Sequence, residues 1–180
     1  MSKLVTKQRL LMISDLWGWS ASKWVDSYLT ILSRNFKIVF YDSQTLGEIA
    51  ISEPSEKVLH EAFVNGGIDR AAVALFEKER SEEPAIILAF SVGATIAWRA
   101  MSSGLVVKNL VGVSGTRLRY ETTQPPGDIK LYFGEEDNYA PDENWYNIIQ
   151  LSKNFIPKQG HELYKEKEFC NFIAMELPSK

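Results

Sequence analysis

One cysteine and two histidines stand among 180 residues. A lone thiol, Cys170, excludes an internal disulfide and any cysteine-rich metal site. It lies in Glu168-Phe169-Cys170-Asn171-Phe172-Ile173, which reads as the packed face of a last helix, so it counts as a small buried hydrophobe. The chain also lacks a long apolar run. Leu10 to Ile13 is too short for a signal segment or a membrane span, and it follows a charged stretch, Lys3 to Arg9. A cytoplasmic protein is the expectation. One-sided charge is missing too. Twenty Lys and Arg against 23 Asp and Glu leave a net charge of −3, which gives no electrostatic reason to expect nucleic acid or an anionic membrane as partner. No repeat, low-complexity tract or linker stands out. At 45% apolar and 24% charged, residues 1–180 suit one domain with a real core.

What is present is alternation. Arg9 to Ile13 reads as a buried strand ending near Ser14-Asp15. A helix follows from about Ser22, with Trp24, Tyr28 and Leu32 on one stripe. Phe36 to Tyr41 is a second strand, ended by Asp42-Ser43. Pro54 lies near the start of a helix that Gly66-Gly67 ends, and a further helix runs from Asp69 to Glu79. Strands at Ala85–Ala89, Leu110–Ser114 and Ile129–Phe133 come next, with Phe155-Ile156 as a short sixth. Helices are expected at Gly93–Met101, around Asp142–Leu151 and from Glu162 to Met175. Near-continuous apolar strands separated by amphipathic helices predict a mostly parallel sheet of five to six strands, in a three-layer α/β/α sandwich. In such sheets the active crevice lies at the carboxyl ends of the strands. The informative residues there are Asp15-Leu16-Trp17, Asp42-Ser43, Ser91-Val92, Gly115-Thr116-Arg117, Asp137 and His161.

Ser91 is the centre of that set. In Ile86-Ile87-Leu88-Ala89-Phe90-Ser91-Val92-Gly93-Ala94 a strand runs into small residues around one serine, and a helix follows at once. Small neighbours suit a turn so tight that bulk two positions either side of the serine would clash. The run fits Gly-x-Ser-x-Gly with Ala89 in place of the first glycine. The same serine could serve only as the helix N-cap. A nucleophilic serine needs a base, and the base needs an orienting acid. His161 and Asp137 supply those types, and Ser91, Asp137 and His161 lie in that order along the chain. The alternatives are that Asp137 only forms a turn, that Glu135 or Glu136 is the acid, and that His161 flanks the last helix. His60 sits mid-helix before the elbow and reads as a surface residue.

Gly134-Glu135-Glu136-Asp137-Asn138-Tyr139-Ala140-Pro141 resembles the post-strand acid loop of the α/β-hydrolases, and Gly160-His161 resembles their terminal Gly-His. With the elbow, the resemblance spans the chain from Leu10 to the last helix. It implies a Ser91–His161–Asp137 triad, an acyl-serine intermediate and no metal or organic cofactor. The oxyanion donors it implies are the backbone N–H of Val92 and, by alignment, of Leu16. Where many members carry His-Gly-x-x-Gly, this chain has Ser14-Asp15-Leu16-Trp17-Gly18. An ionised Asp15 aimed at the oxyanion would oppose catalysis, so Asp15 is expected to point away and bond the turn backbone.

The link from Gly115 to Asp128 leaves no room for the helical cap of many relatives. An open, cap-less site is therefore expected, rimmed by Leu16, Trp17, Trp19 and Tyr139, with Arg117 and Arg119 nearby. The tryptophans have ordinary packing as their alternative, and the arginines solvation, against a clamp on a carboxylate or phosphate. The resemblance extends to dienelactone-hydrolase-like proteins, which generally carry cysteine at the elbow where this chain has serine. The expected function is hydrolysis of a small carboxylic ester or thioester, with a small acyl molecule as partner. A non-catalytic binding protein on the same scaffold is the alternative. A flavodoxin-like nucleotide module ranks last, because Leu16-Trp17-Gly18-Trp19 puts bulk where a phosphate needs close backbone approach.

Overall fold

The computed structural model describes Lys7–Pro178, so the N-terminal residues read above for targeting lie largely outside it. Six strands form one parallel sheet among the described residues: β1 (Gln8–Ile13), β2 (Phe36–Tyr41), β3 (Ile86–Phe90), β4 (Asn109–Val113), β5 (Asp128–Gly134) and β6 (Phe155–Ile156). Their order is β2-β1-β3-β4-β5-β6. Alternate side chains of each strand feed two separate cores. Leu11, Ile13, Ile87 and Ala89 face one, while Leu10, Met12, Ile86, Leu88 and Phe90 face the other. Both faces must therefore be covered, which is why these strands read as unbroken apolar runs.

The first core is closed by α2 (Ser43–Leu46), α4 (Ile68–Glu79), α5 (Val92–Ser102) and α6 (Glu143–Ile149), and the second by α1 (Val25–Leu32) and α7 (Lys167–Glu176). Between α2 and α4 lies α3 (Glu56–Ala62), whose N-cap Ser55 accepts the Val58 N–H at 3.3 Å. Asp42 caps α2, a helix the periodicity does not predict, by accepting the Thr45 N–H at 2.9 Å. Buried Glu79 pairs with Arg9 at 3.0 Å and accepts the Tyr41 hydroxyl at 2.5 Å, tying α4 to β1 and β2.

Two helix starts differ from expectation. The first helix begins at Val25, after a 3-10 turn at Trp19–Ala21. The last begins at Lys167 rather than Glu162, because Glu166 is extended (φ −78°, ψ 134°) after a 3-10 turn at Leu163–Lys165. Leu163 and Tyr164 are adjacent and both buried, which the tight turn allows. The charged run Lys165 to Glu168 therefore divides between the 3-10 turn and the start of α7. Cys170 is buried on α7, and burial pushes its thiol up to about 11, as suits a packing residue. No helix among the described residues is long and apolar enough to cross a membrane.

Strand order reverses between β1 and β3, so the loops after these two strands part around a crevice. Those loops hold Ser14–Gly18 and Ser91.

Candidate active site

Ser91 sits between β3 and α5 with φ 51° and ψ −120°, a conformation that L residues rarely adopt. Three backbone bonds hold it there. Its N–H donates to Val113 C=O at 2.9 Å, and its C=O accepts from Ala94 at 3.1 Å and Thr116 at 3.3 Å. The Ser91 side chain makes no cap bond to α5. The strain therefore aims the hydroxyl away from the helix it precedes.

That hydroxyl lies 3.1 Å from His161 Nε2, and His161 Nδ1 lies 3.0 Å from Asp137 Oδ2. A carboxylate only accepts, so Nδ1 carries the hydrogen and Nε2 is free to accept from Ser91. Asp137 is buried, and its other oxygen accepts the Tyr139 N–H at 2.9 Å. It forms a turn and orients the histidine at once. Glu135 and Glu136 are exposed on the same loop. His161 lies in the loop before α7, not on a helix.

Close approach of two loops brings acid and base together. Glu136 N–H donates to Gln159 C=O at 2.8 Å, and a Cβ on Gly134 would collide with the Gln159 carbonyl. Gly93 does the same for the opposite wall: a Cβ there would sit 2.5 Å from Ser14 O and 2.9 Å from Ile13 O. The first turn of α5 is therefore pressed against the loop after β1. In that loop the N–H groups of Ser14, Trp17, Gly18 and Trp19 all have partners, whereas those of Asp15 and Leu16 have none among the described residues. Val92 N–H is likewise free of any bond to the preceding strand, as the first donor of a helix is.

Asp15 is 1% exposed. Its Oδ1 accepts the Trp17 N–H at 3.0 Å and its Oδ2 accepts the Tyr164 O–H at 3.1 Å. Burial raises its pKa above the ordinary carboxylate value, outweighing those two bonds. Burial also raises the Tyr164 hydroxyl, with the neighbouring Asp15 charge adding to it.

A cleft of about 550 Å³ opens over His161 and Thr116, while Ser91 and Asp137 are buried behind its lining. Leu16 and Trp17 line it from the loop after β1, Thr116 from the loop after β4, Tyr139 from the acid loop, and His161, Glu162 and Tyr164 from the last loop. Glu56, Lys57 and His60 of α3 form the remaining wall. Half-buried His60 thus faces the cleft, although its sequence position reads as surface. The connection after β4 carries only a 3-10 turn, Leu118–Tyr120, as its length implies, and α3 supplies one wall of the cleft.

Two rim candidates are not brought to the cleft. Trp19 donates from Nε1 to Tyr41 C=O at 2.9 Å and packs on Trp24, Phe40 and Phe90. Arg117, at φ 73°, stacks its guanidinium 4.3 Å from the Tyr120 ring centroid. Arg119 donates to Tyr139 C=O at 3.0 Å and so braces the rim from outside. Thr116, which stood among the post-strand residues without a role, is the residue that sequence reasoning missed. Its Oγ1 is 2.7 Å from Ser91 Oγ and 3.5 Å from His161 Nε2. Among the described residues no group of three acidic, histidine or cysteine side chains could hold a metal ion.

No protein-family model matches the chain, and no curated protein matches it. Solved structures do. A predicted CIB-like hydrolase from Thermoplasma acidophilum superposes with a TM-score of 0.67 at 18% identity, over 96% of this chain and 87% of that one. An α/β hydrolase enzyme from the metagenome of Mar Chica lagoon sediments gives 0.67 at 16% identity, over 95% and 90%. A dienelactone-hydrolase-like promiscuous phosphotriesterase from metagenomic libraries gives 0.66 at 11% identity, over 95% and 87%. The fold is that of the α/β hydrolases, at 180 residues.

Proposed function

We propose that this chain of α/β-hydrolase fold is a serine hydrolase that cleaves a small carboxylic ester or thioester through an acyl-serine intermediate. The observation that carries the reading is the unbroken contact series Ser91 Oγ to His161 Nε2 (3.1 Å) and His161 Nδ1 to Asp137 Oδ2 (3.0 Å), on a strained turn whose serine does not cap its helix.

In the proposed reaction Ser91 Oγ attacks the acyl carbon while its proton passes to His161 Nε2. Asp137 steadies the imidazolium through Nδ1–H. Leu16 and Val92 N–H groups meet the developing oxyanion, and Asp15, bonded to Trp17 and Tyr164, is turned away from it. His161 then protonates the leaving alcohol or thiol. Water deprotonated by His161 attacks the acyl-serine and frees the acid. Trp17, Tyr139 and Tyr164 offer aromatic surface to a small acyl group in the cleft.

Hydrolysis of p-nitrophenyl acetate by wild type and Ser91→Ala tests this. Turnover by wild type that falls to background in a folded Ser91→Ala protein supports it, and equal rates sink it. One observation favours a second reading, a binding protein on the same scaffold: Ser91 has 0% of its surface exposed. A fluorophosphonate probe separates the two, since only an activated, reachable serine is labelled.

A further inference from the structure

Besides His161, Thr116 touches Ser91 Oγ, and the triad leaves it without a task. The protons around it can be assigned. Ser91 gives its single hydroxyl hydrogen to His161 Nε2, which has none of its own while Nδ1–H faces Asp137. The 2.7 Å contact between Ser91 Oγ and Thr116 Oγ1 also needs a hydrogen, and Thr116 is left to supply it. Thr116 is held for this. It is 7% exposed, its N–H donates to Ser91 C=O at 3.3 Å, and its own C=O accepts the Thr95 hydroxyl.

Resting on the serine-hydrolase reading above, we propose that Thr116 is a further catalytic residue, one that stabilises Ser91 Oγ as the leaving group of deacylation. In the acyl-enzyme, Oγ is an ester oxygen. Water loses a proton to His161 Nε2 as its oxygen bonds to the acyl carbon. When the tetrahedral intermediate collapses, the bond between the acyl carbon and Oγ breaks and its electron pair goes to Oγ. Nε2–H then returns the proton to Oγ, giving free Ser91 and the acid. Thr116 O–H is already aimed at the atom where this charge develops, so its bond strengthens in the transition state. In the free enzyme Oγ already accepts this bond as a hydroxyl, whereas in the acyl-enzyme it is an ester oxygen and a poorer acceptor, so the gain on reaching the transition state is smaller in acylation. Thr116 thus favours the second half-reaction over the first.

Rapid mixing with p-nitrophenyl acetate tests it, the burst of p-nitrophenolate reporting acylation and the steady phase deacylation. Thr116→Ala is expected to keep the burst rate while the steady rate falls roughly three- to tenfold, the factor that one hydrogen bond is worth. Thr116→Ser, which retains a hydroxyl, is expected to recover most of that loss. An unchanged steady rate, a burst slowed by the same factor, or no recovery with serine overturns the proposal. Fluorophosphonate labelling of Ser91 in wild type keeps the two readings apart. If Ser91 is labelled and Thr116→Ala behaves as wild type, only the role of Thr116 falls. If wild type is neither labelled nor faster than Ser91→Ala, the serine-hydrolase reading falls and takes this one with it.

Discussion

Tyr164 donates its hydroxyl to Asp15 Oδ2 at 3.1 Å, joining the segment three residues past His161 to the loop after β1. Both residues are buried. The bond links the two walls of the cleft, one carrying the histidine and the other the unpartnered Leu16 N–H. Asp15 spends its remaining oxygen on Trp17 N–H, so the carboxylate shapes the turn that presents Leu16.

Burial raises the Asp15 pKa in the folded protein, so the folded state holds this proton more tightly than the unfolded chain does. Its stabilising effect is full below the unfolded carboxylate value and is lost as pH rises through the raised folded value. Asparagine does not titrate and can keep both hydrogen bonds. The Tm of Asp15→Asn, relative to wild type, should therefore climb from about pH 4 towards neutrality. Thermal melts across that range check it. A difference that stays flat or shrinks would count against the buried carboxylate as the cause.

Asp137→Asn should keep the fold and lose turnover. An amide NH₂ facing Nδ1 favours the tautomer with hydrogen on Nε2, which can no longer take the Ser91 proton. A drop in kcat of roughly 10⁴ is expected, the size seen when a triad acid becomes an amide. Steady-state kinetics on p-nitrophenyl acetate decide it, and a loss under tenfold would assign Asp137 to turn formation alone.

Gly93→Ala should disturb the wall opposite His161. Its Cβ would meet two backbone carbonyl oxygens, at Ser14 and Ile13, and backbone cannot swing aside as a side chain can. Destabilisation of about 1–3 kcal/mol is expected from such overpacking. Because Leu16 N–H moves with that loop, kcat should fall while the pair of Ser91 and His161 persists. Urea unfolding together with kinetics separates the two effects.

Glu79→Ala should act on stability alone. It removes the partner of Arg9 and of the Tyr41 hydroxyl, at about 1.5–3 kcal/mol for hydrogen bonds to a charged group. The pair begins at Arg9, at the amino end of β1, whereas Ser91 follows the carboxyl end of β3. Turnover per folded molecule should hold, and a large fall in kcat at low temperature would contradict that separation.

Much of this molecule is written in local pattern. Short apolar runs such as Leu10–Ile13 and Ala85–Phe90, punctuated by polar and small residues, mark the central strands because both sheet faces are buried there. The order of Ser91, Asp137 and His161, each after a strand, also lies in the chain itself. Local pattern left Ser91 between nucleophile and N-cap, and its backbone angles and absent cap bond now bear on that choice. Other features depend on contacts between residues far apart in sequence. Thr116 lies 25 positions from Ser91 and touches it only because β3 and β4 are neighbours. His60 reaches the cleft because the crossover from β2 to β3 passes over the strand ends. Trp17 lines the cleft and Trp19 does not, since Trp19 is drawn under by Tyr41, Phe40 and Phe90. Periodicity records which residues are buried, but the direction of a side chain in an irregular loop is decided by whatever the rest of the chain packs beside it.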